Sequence, residues 1–283
     1  MTTSDTAGRA RLTFAEHGPH QIVLSLWRHR LLISRLARRE VESRYRGSLL
    51  GLVWTIITPL LMLAVFTFVF SVVFKVRWNV PIADKSEFAL ILFAGLIVFQ
   101  FFADCIGRAS SLMRENVSYI KKIVFPLEAM SWVVLLSALF NAFVSTIVLL
   151  VVHVVLVGAP PWTAIFIPVV FAPLALLMVG GIWLLASVGI YIPDVRQVIA
   201  VVITLLMFLS PIFYPVSALP ENFQSYLLLN PLTYIMDQAR TVLLYGRAPN
   251  FGGLALYSLV ALAVAWLGYA WFAVTKRGFA DVV

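Results

Sequence analysis

Cysteine occurs once in the 283 residues, at Cys105, so neither an internal disulfide nor a cysteine-held metal cluster can be built. Charge is scarce as well: Asp, Glu, Lys and Arg supply only 12% of the chain, about half the share of a soluble domain. No glycine is followed by lysine, so the phosphate-cradling loop G-x-x-x-x-G-K-[ST] is missing. H-E-x-x-H is missing too, and His17, His20, His29 and His153 show no ligand spacing. An enzyme acting on lipid-linked substrates would want clustered carboxylates for metal or base chemistry, whereas Asp84, Asp104, Asp194 and Asp237 stand singly on different segments. No catalytic site and no metal site is expected.

What the chain has in abundance is apolar length: 61% of its residues are hydrophobic. Six apolar stretches run near residues 51–74, 88–107, 131–157, 164–192, 198–214 and 251–274. A hydrocarbon layer of about 30 Å needs roughly 20 apolar residues as helix, because backbone polar groups must pair within the segment. The pattern predicts an all-α membrane protein with six transmembrane helices.

The placement of the basic residues orients it. Of 21 Lys and Arg, nine precede the first span, ending at Arg46. On the same side fall Arg108, Arg114, Lys121, Lys122, Arg196, Lys276 and Arg277, against Lys75, Arg77, Lys85, Arg240 and Arg247 opposite. The positive-inside bias then puts both termini in the cytoplasm. The formal charge of +8 is read as orienting the protein and facing anionic lipid, not as binding nucleic acid. No cleavable signal is visible, so the first span is expected to act as its own insertion signal.

Three regions divide the chain. Residues 1–20 are polar, lack periodicity and read as a disordered cytoplasmic tail. Residues 21–47 read as an amphipathic helix in the membrane interface. At 100° per residue Arg28, Arg35, Arg39, Glu42 and Arg46 share one face, with Ile22, Leu26, Ile33 and Ala37 opposite. Glu40 and Arg44 break that pattern. Glu40–Arg44 and Glu42–Arg46 have the favourable i, i+4 order, and Gly47 marks the end. A basic flank that merely orients the first span would look similar. Residues 48–283 form the six-span domain.

Within that domain two connectors stand out. The 108–129 loop is longer than a plain connector requires. Its segments 110–116 and 117–124 suit two short helices, and its mixed charges beside Tyr119 and Ile123 suit a docking surface. Between spans five and six, residues 215–250 are apolar yet too short to span. Pro220 would open one short helix, and Asn230-Pro231 an N-cap with proline in the first turn, would open a second that stops at Gly246. A short re-entrant helical hairpin follows.

Polar residues inside the spans are few. Asp104 is expected to pair with Arg108 at i, i+4, Asn141 and His153 to bond between helices, and Gly180-Gly181 to allow close packing. Nothing among them suggests a motor, so the energy source is expected on a partner.

The segment Glu40-Val-Glu-Ser-Arg-Tyr-Arg-Gly-Ser-Leu-Leu-Gly-Leu-Val-Trp54 with Pro59 resembles the start of span one in polysaccharide-exporting permeases of the ABC-2 type. Asn116–Pro126 is similar to that family's loop between spans two and three. Ser210-Pro-Ile-Phe-Tyr-Pro215, Leu219-Pro-Glu-Asn-Phe223 and Leu229-Asn-Pro-Leu232 resemble its fifth span and outer hairpin, and Gly278-Phe-Ala-Asp-Val282 its ending. The nearest branch is the O-antigen and teichoic-acid exporters.

The resemblance implies a homodimer in a bacterial cytoplasmic (inner) membrane, with two separate ABC ATP-binding subunits that carry ATP and Mg; this chain would hold no cofactor. It implies a glycan on undecaprenyl pyrophosphate as cargo. Arg35, Arg38, Arg39, Arg44 and Arg46 are the candidates for the lipid pyrophosphate, since arginine forks pair phosphate oxygens bidentately; orientation alone would also account for them. Arg114, Glu115, Asn116, Tyr119, Lys121 and Lys122 are the candidates for coupling to the ATPase. Phe208, Phe213, Tyr214, Phe223, Tyr226 and Tyr234 are the candidates for the glycan channel and outer gate, although interfacial aromatic belts use the same residue types. The alternatives are an ABC-2 permease for a small lipid or drug, and a membrane enzyme processing polyprenyl lipids.

Overall fold

The computed structural model describes residues 18–44, 46–69, 85–121, 125–216, 220–227 and 229–282. Expectations for residues 1–17, for the end of span one at 70–74, and for Lys75, Arg77 and Lys122 lie outside the described residues, as does the side chain of Phe223. Among the described residues every regular element is helical.

The chain begins with α1 (His20–Arg28) and α2 (Arg30–Arg44). The amphipathic stretch is therefore two helices, broken at His29, whose backbone leaves the helical region. Ile22, Ser25, Ile33 and Ala37 are buried, and this face packs on α7 (Glu128–Leu156). Trp132 of α7 donates its indole N–H to the Ser25 hydroxyl at 3.1 Å. Gly47 follows with φ 87°, a left-handed conformation natural to glycine, and the chain turns towards the first apolar helix.

That helix, α3 (Trp54–Thr67), is followed by α4 (Lys85–Ala109), the short α5 (Leu112–Glu115) and α6 (Val117–Ile120), and then α7. Next come α8 (Ile167–Tyr191), entered through the tight turn Trp162–Phe166, and α9 (Val195–Leu209). The segment expected as the hairpin, hereafter the hairpin, holds α10 (Glu221–Leu227) and α11 (Pro231–Leu243), and α12 (Phe251–Thr275) follows. The two short helices expected in the 108–129 loop and the two expected in the hairpin are all present.

Four elements are long and apolar enough to cross a membrane: Phe88–Ala109, Glu128–Leu156, Trp162–Tyr191 and Phe251–Asp281. Trp54–Val65 and Val195–Leu209 are apolar but shorter. The fifth expected span thus ends early, at 15 residues, or about 22 Å of helix. The cause is Pro211, which drives the preceding Ser210 out of the helical region to ψ 146°.

The core sits around α4, buried at nearly every position from Phe88 to Val98. The most extensive packing joins α8 to α12. A Cβ on Gly180 would lie 2.5 Å from the Ala265 Cα, and one on Gly268 would lie 2.2 Å from the Gly180 carbonyl oxygen. The close approach expected at Gly180 is therefore real, and Gly268 completes it from the other helix. Trp183 bridges three helices, with its ring 5.6 Å from Trp132 and 5.0 Å from Tyr269.

Candidate functional site

Two polar regions stand apart from this apolar body, one at the end of the bundle that carries most of the basic residues and one around the hairpin. At the basic end, α2 and the turn after it present a row of arginines. Arg35, Arg38, Arg39 and Arg46 are exposed. Arg38 pairs with Glu42 at 2.8 Å, and the Glu42 hydrogen bond and charge hold its guanidinium above the ordinary value. Arg35, Arg39 and Arg46 make no ion pair among the described residues.

The expected ladder along α2 does not form. Glu40 accepts instead from Arg108 Nη2 on α4, and Arg44 Nη1 lies 3.5 Å from Asp104 Oδ2. The expected Asp104–Arg108 pair is likewise replaced by these two bonds across the helix gap. Asn141 of α7 donates to the same Asp104 oxygen at 3.0 Å, the interhelical bond expected of it. His153 behaves differently, its Nδ1 lying 3.1 Å from the Gly158 carbonyl just beyond its own helix. A histidine one turn from a helix end meets free carbonyls before it can reach a neighbour.

These cross-helix pairs had a signal in the sequence. Glu40 and Arg44 are the two charges that fell on the apolar face of the amphipathic helix. A charge on a packing face needs a partner on the neighbouring element.

The loop that follows α4 is joined to α8. Arg114 Nε and Nη2 both donate to the Ile190 carbonyl, at 3.3 and 3.2 Å. That carbonyl belongs to the last turn of α8, where acceptors lack helical donors and a cation is favoured. Beside it, a Cβ on Gly189 would stand 1.9 Å from the Ser110 carbonyl oxygen, so only glycine lets loop and helix meet. Asn116 donates within the loop to the Leu112 carbonyl, and Tyr119 packs on Phe125 with ring centres 4.5 Å apart. Glu115 and Lys121 are exposed. Lys276 reaches Glu128 at 3.2 Å and fastens the end of α12 to the start of α7.

At the hairpin, Asn230 caps α11 as expected, accepting from the Leu232 N–H at 2.9 Å. Its amide also donates to the Ser210 hydroxyl at the broken end of α9. Arg240 was expected among outer basic residues, but it is buried at 4% exposure. Its Nε donates to the Ile91 carbonyl of α4 at 3.1 Å, and its Nη2 to the Ile212 carbonyl at 3.2 Å. Gly95 makes room for it, since a Cβ there would lie 2.6 Å from the guanidinium. Composition gives no hint of this burial, which only the path of the chain after Pro211 creates.

The five aromatic candidates with described side chains differ in placement. Phe208 and Tyr226 are exposed, at 61% and 70%. Tyr214 donates to the Phe208 carbonyl, Phe213 lies in the core, and Tyr234 stacks on Tyr257 while donating to the Asn250 carbonyl. Among the described residues no group of three His, Cys, Asp or Glu could hold a metal ion.

A family model described as ABC-2 type transporter matches residues 32–244, from the arginine helix through the hairpin. The chain belongs to that family. Relatives of this ABC-2 transporter chain align over most of its length. The O-antigen export system permease protein RfbA of Myxococcus xanthus is 27% identical over 265 residues, 93% of this chain and 99% of its own. A protein of the same name from Klebsiella pneumoniae is 24% identical over 259 residues, 89% and 95% of the two chains. The polysialic acid transport protein KpsM of Escherichia coli is 26% identical over 241 residues, 83% and 91%. The matched region spans both the paired charges at the basic end and the buried hairpin contacts of this ABC-2 chain.

Proposed function

We propose that this chain is the transmembrane subunit of an ATP-driven exporter that moves lipid-linked polysaccharide across a bacterial cytoplasmic membrane. The observation that carries the reading is the near full-length similarity to permeases named for O-antigen export and polysialic acid transport, within a family matched over residues 32–244. The basic end faces the cytoplasm with both termini, α3 and α9 complete a set of six crossings, and the hairpin enters the outer leaflet. Two copies form the pathway, and two separate ABC subunits supply ATP and Mg.

In this reading the arginines of α2 and of the turn after it receive the lipid pyrophosphate. Arg35, Arg39 and Arg46 offer forks that no carboxylate occupies among the described residues, while Arg38 and Arg44 are already engaged. The loop from Arg114 to Lys122 meets the ATPase. Arg114 holds that loop to the last turn of α8, so movement imposed on the loop reaches a helix that is locked to α12 by Gly180 and Gly268. Phe208 and Tyr226, the exposed members of the aromatic set, are assigned to the glycan path, and Tyr234 to fastening the hairpin.

Co-purification tests the reading. The tagged protein is solubilised from its native host, and its companions are identified by mass spectrometry. A stoichiometric P-loop ATPase together with lipid-linked glycan is the expected result. An ATPase with only small lipids would favour a lipid or drug permease. A folded chain with no ATPase would overturn the exporter and favour a lipid-processing enzyme. Replacing Arg35, Arg39 and Arg46 by Ala should weaken export without loss of insertion, and Lys121→Glu with Lys122→Glu should uncouple ATP hydrolysis from transport.

A further inference from the structure

The four charges between α2 and α4 are arranged as a crossed set. Glu40 and Arg44 are one helical turn apart on α2, as are Asp104 and Arg108 on α4, yet the bonds run from helix to helix. Their side chains are 19–37% exposed, neither sealed nor free. Two details set this cluster apart from a plain tether. Arg108 Nη1 is buried with no acceptor among the described residues, although its sister Nη2 is taken by Glu40. Arg44 stands 3.5 Å from an Asp104 oxygen that Asn141 already holds at 3.0 Å, so this second pair is loose. A tether selected for strength would satisfy each donor; this one leaves one donor empty and another underused.

An empty guanidinium donor beside a loosely held one is a half-filled site for a two-pronged anion. Diphosphate oxygens make charge-assisted, bidentate bonds with arginine, and a diphosphate carries more charge than either carboxylate. Partly exposed ion pairs contribute little net stability, so exchanging them costs little. Arg39 on α2 and Arg46 just beyond its end are exposed, one residue before Glu40 and two after Arg44.

We infer that Glu40 and Asp104 are placeholders: they occupy the Arg108 and Arg44 forks until the diphosphate head of the lipid substrate displaces them and thereby frees α2 from α4. This rests on the exporter reading above and deepens it, because it makes arrival of the head group the event that loosens the helix.

Binding to the intact transporter complex in nanodiscs tests it, with a fluorescent polyprenyl diphosphate and inorganic pyrophosphate as the two probes. Glu40→Gln should tighten lipid diphosphate binding about fivefold, the equivalent of removing one partly exposed ion pair as competitor. Asp104→Asn should act in the same direction, and Arg108→Gln should weaken binding. Glu42→Gln makes the same charge change two residues away in a pair that water already screens, and should alter binding less than about twofold. Glu40→Asp, which keeps a carboxylate, should stay near the parent. Equal gains from Glu40→Gln and Glu42→Gln would mean a general field effect and would overturn the exchange. Unchanged or weaker binding in Glu40→Gln would also overturn it, leaving a tether. Pyrophosphate binding as tightly as the lipid would overturn the lipid assignment. A parent complex that carries its ATPase but binds neither probe would sink the diphosphate cargo itself, separately from the latch.

Discussion

The two polar ends of this molecule are fastened by different chemistry. At the basic end the joints are ion pairs between partly wetted side chains: Glu40–Arg108, Arg44–Asp104 and Lys276–Glu128. At the hairpin they are mostly buried side-chain donors aimed at main-chain carbonyls: Arg240 to Ile91 and Ile212, and Thr163 to Val242. The first kind breaks and reforms at small net cost because water replaces each partner. The second leaves orphaned buried groups when it breaks, so it holds the hairpin and its neighbours as one unit. If the head group displaces the two carboxylates as inferred above, the basic end loosens while the hairpin end keeps its shape.

The sharpest way to break this contrast is at Arg240. Arg240→Met should lower stability by about 2 kcal/mol, since it removes the buried donor that both the Ile212 and the Ile91 carbonyls accept from; thermal unfolding in detergent reads it directly. A variant that unfolds at the parent temperature would mean the hairpin end is not fastened as described. Next in size is the joint between loop and bundle. Gly189→Ala must push a methyl against the Ser110 carbonyl and should cost about 1–3 kcal/mol. Gly268→Ala, by the same argument at the α8–α12 contact, should fall in that range. If either behaves as an ordinary surface change, the close approach is not obligatory.

Smaller effects separate the two roles of Asn230. Asn230→Ala should cost about 1–2 kcal/mol through the lost cap and the lost bond to Ser210. Asn230→Asp keeps the acceptor for Leu232 but loses the donor, so it should recover roughly half. The smallest effect belongs to the basic end: a double-mutant cycle with Glu40→Gln and Arg108→Gln should return a coupling of about 0.5–1 kcal/mol, shrinking with added salt. A coupling as large as that of Arg240 would erase the distinction between the ends.

Much of this was legible in the amino acids. The left-handed glycines Gly47 and Gly246 that follow α2 and α11, the Asn230-Pro231 start of α11 and the small-residue contact at Gly180 each depend on local backbone chemistry and appear where expected, although α2 and α11 themselves end earlier, at Arg44 and Leu243. What misled was charge pairing. Spacing of four residues proposed Glu40–Arg44, Glu42–Arg46 and Asp104–Arg108, but the observed pairs are Glu40–Arg108, Arg44–Asp104 and Arg38–Glu42. An i, i+4 pair is weak, so a carboxylate or guanidinium on a packed face goes to whichever helix lies opposite.

By itself, then, the sequence determined the helical character, the apolar lengths, the arginine row and the side on which basic residues gather, because each follows from hydrogen bonding within a segment and from its solvent. The tertiary structure alone decided which helices meet. It put Arg240 under α4, turned two misfit charges of α2 towards Asp104 and Arg108, and brought Asn230 and Arg240 to Ser210 and Ile212 beyond the end of α9. Those contacts join residues 28 to 149 positions apart, beyond the hairpin's own 20, and no periodicity along a chain encodes its neighbour across a gap.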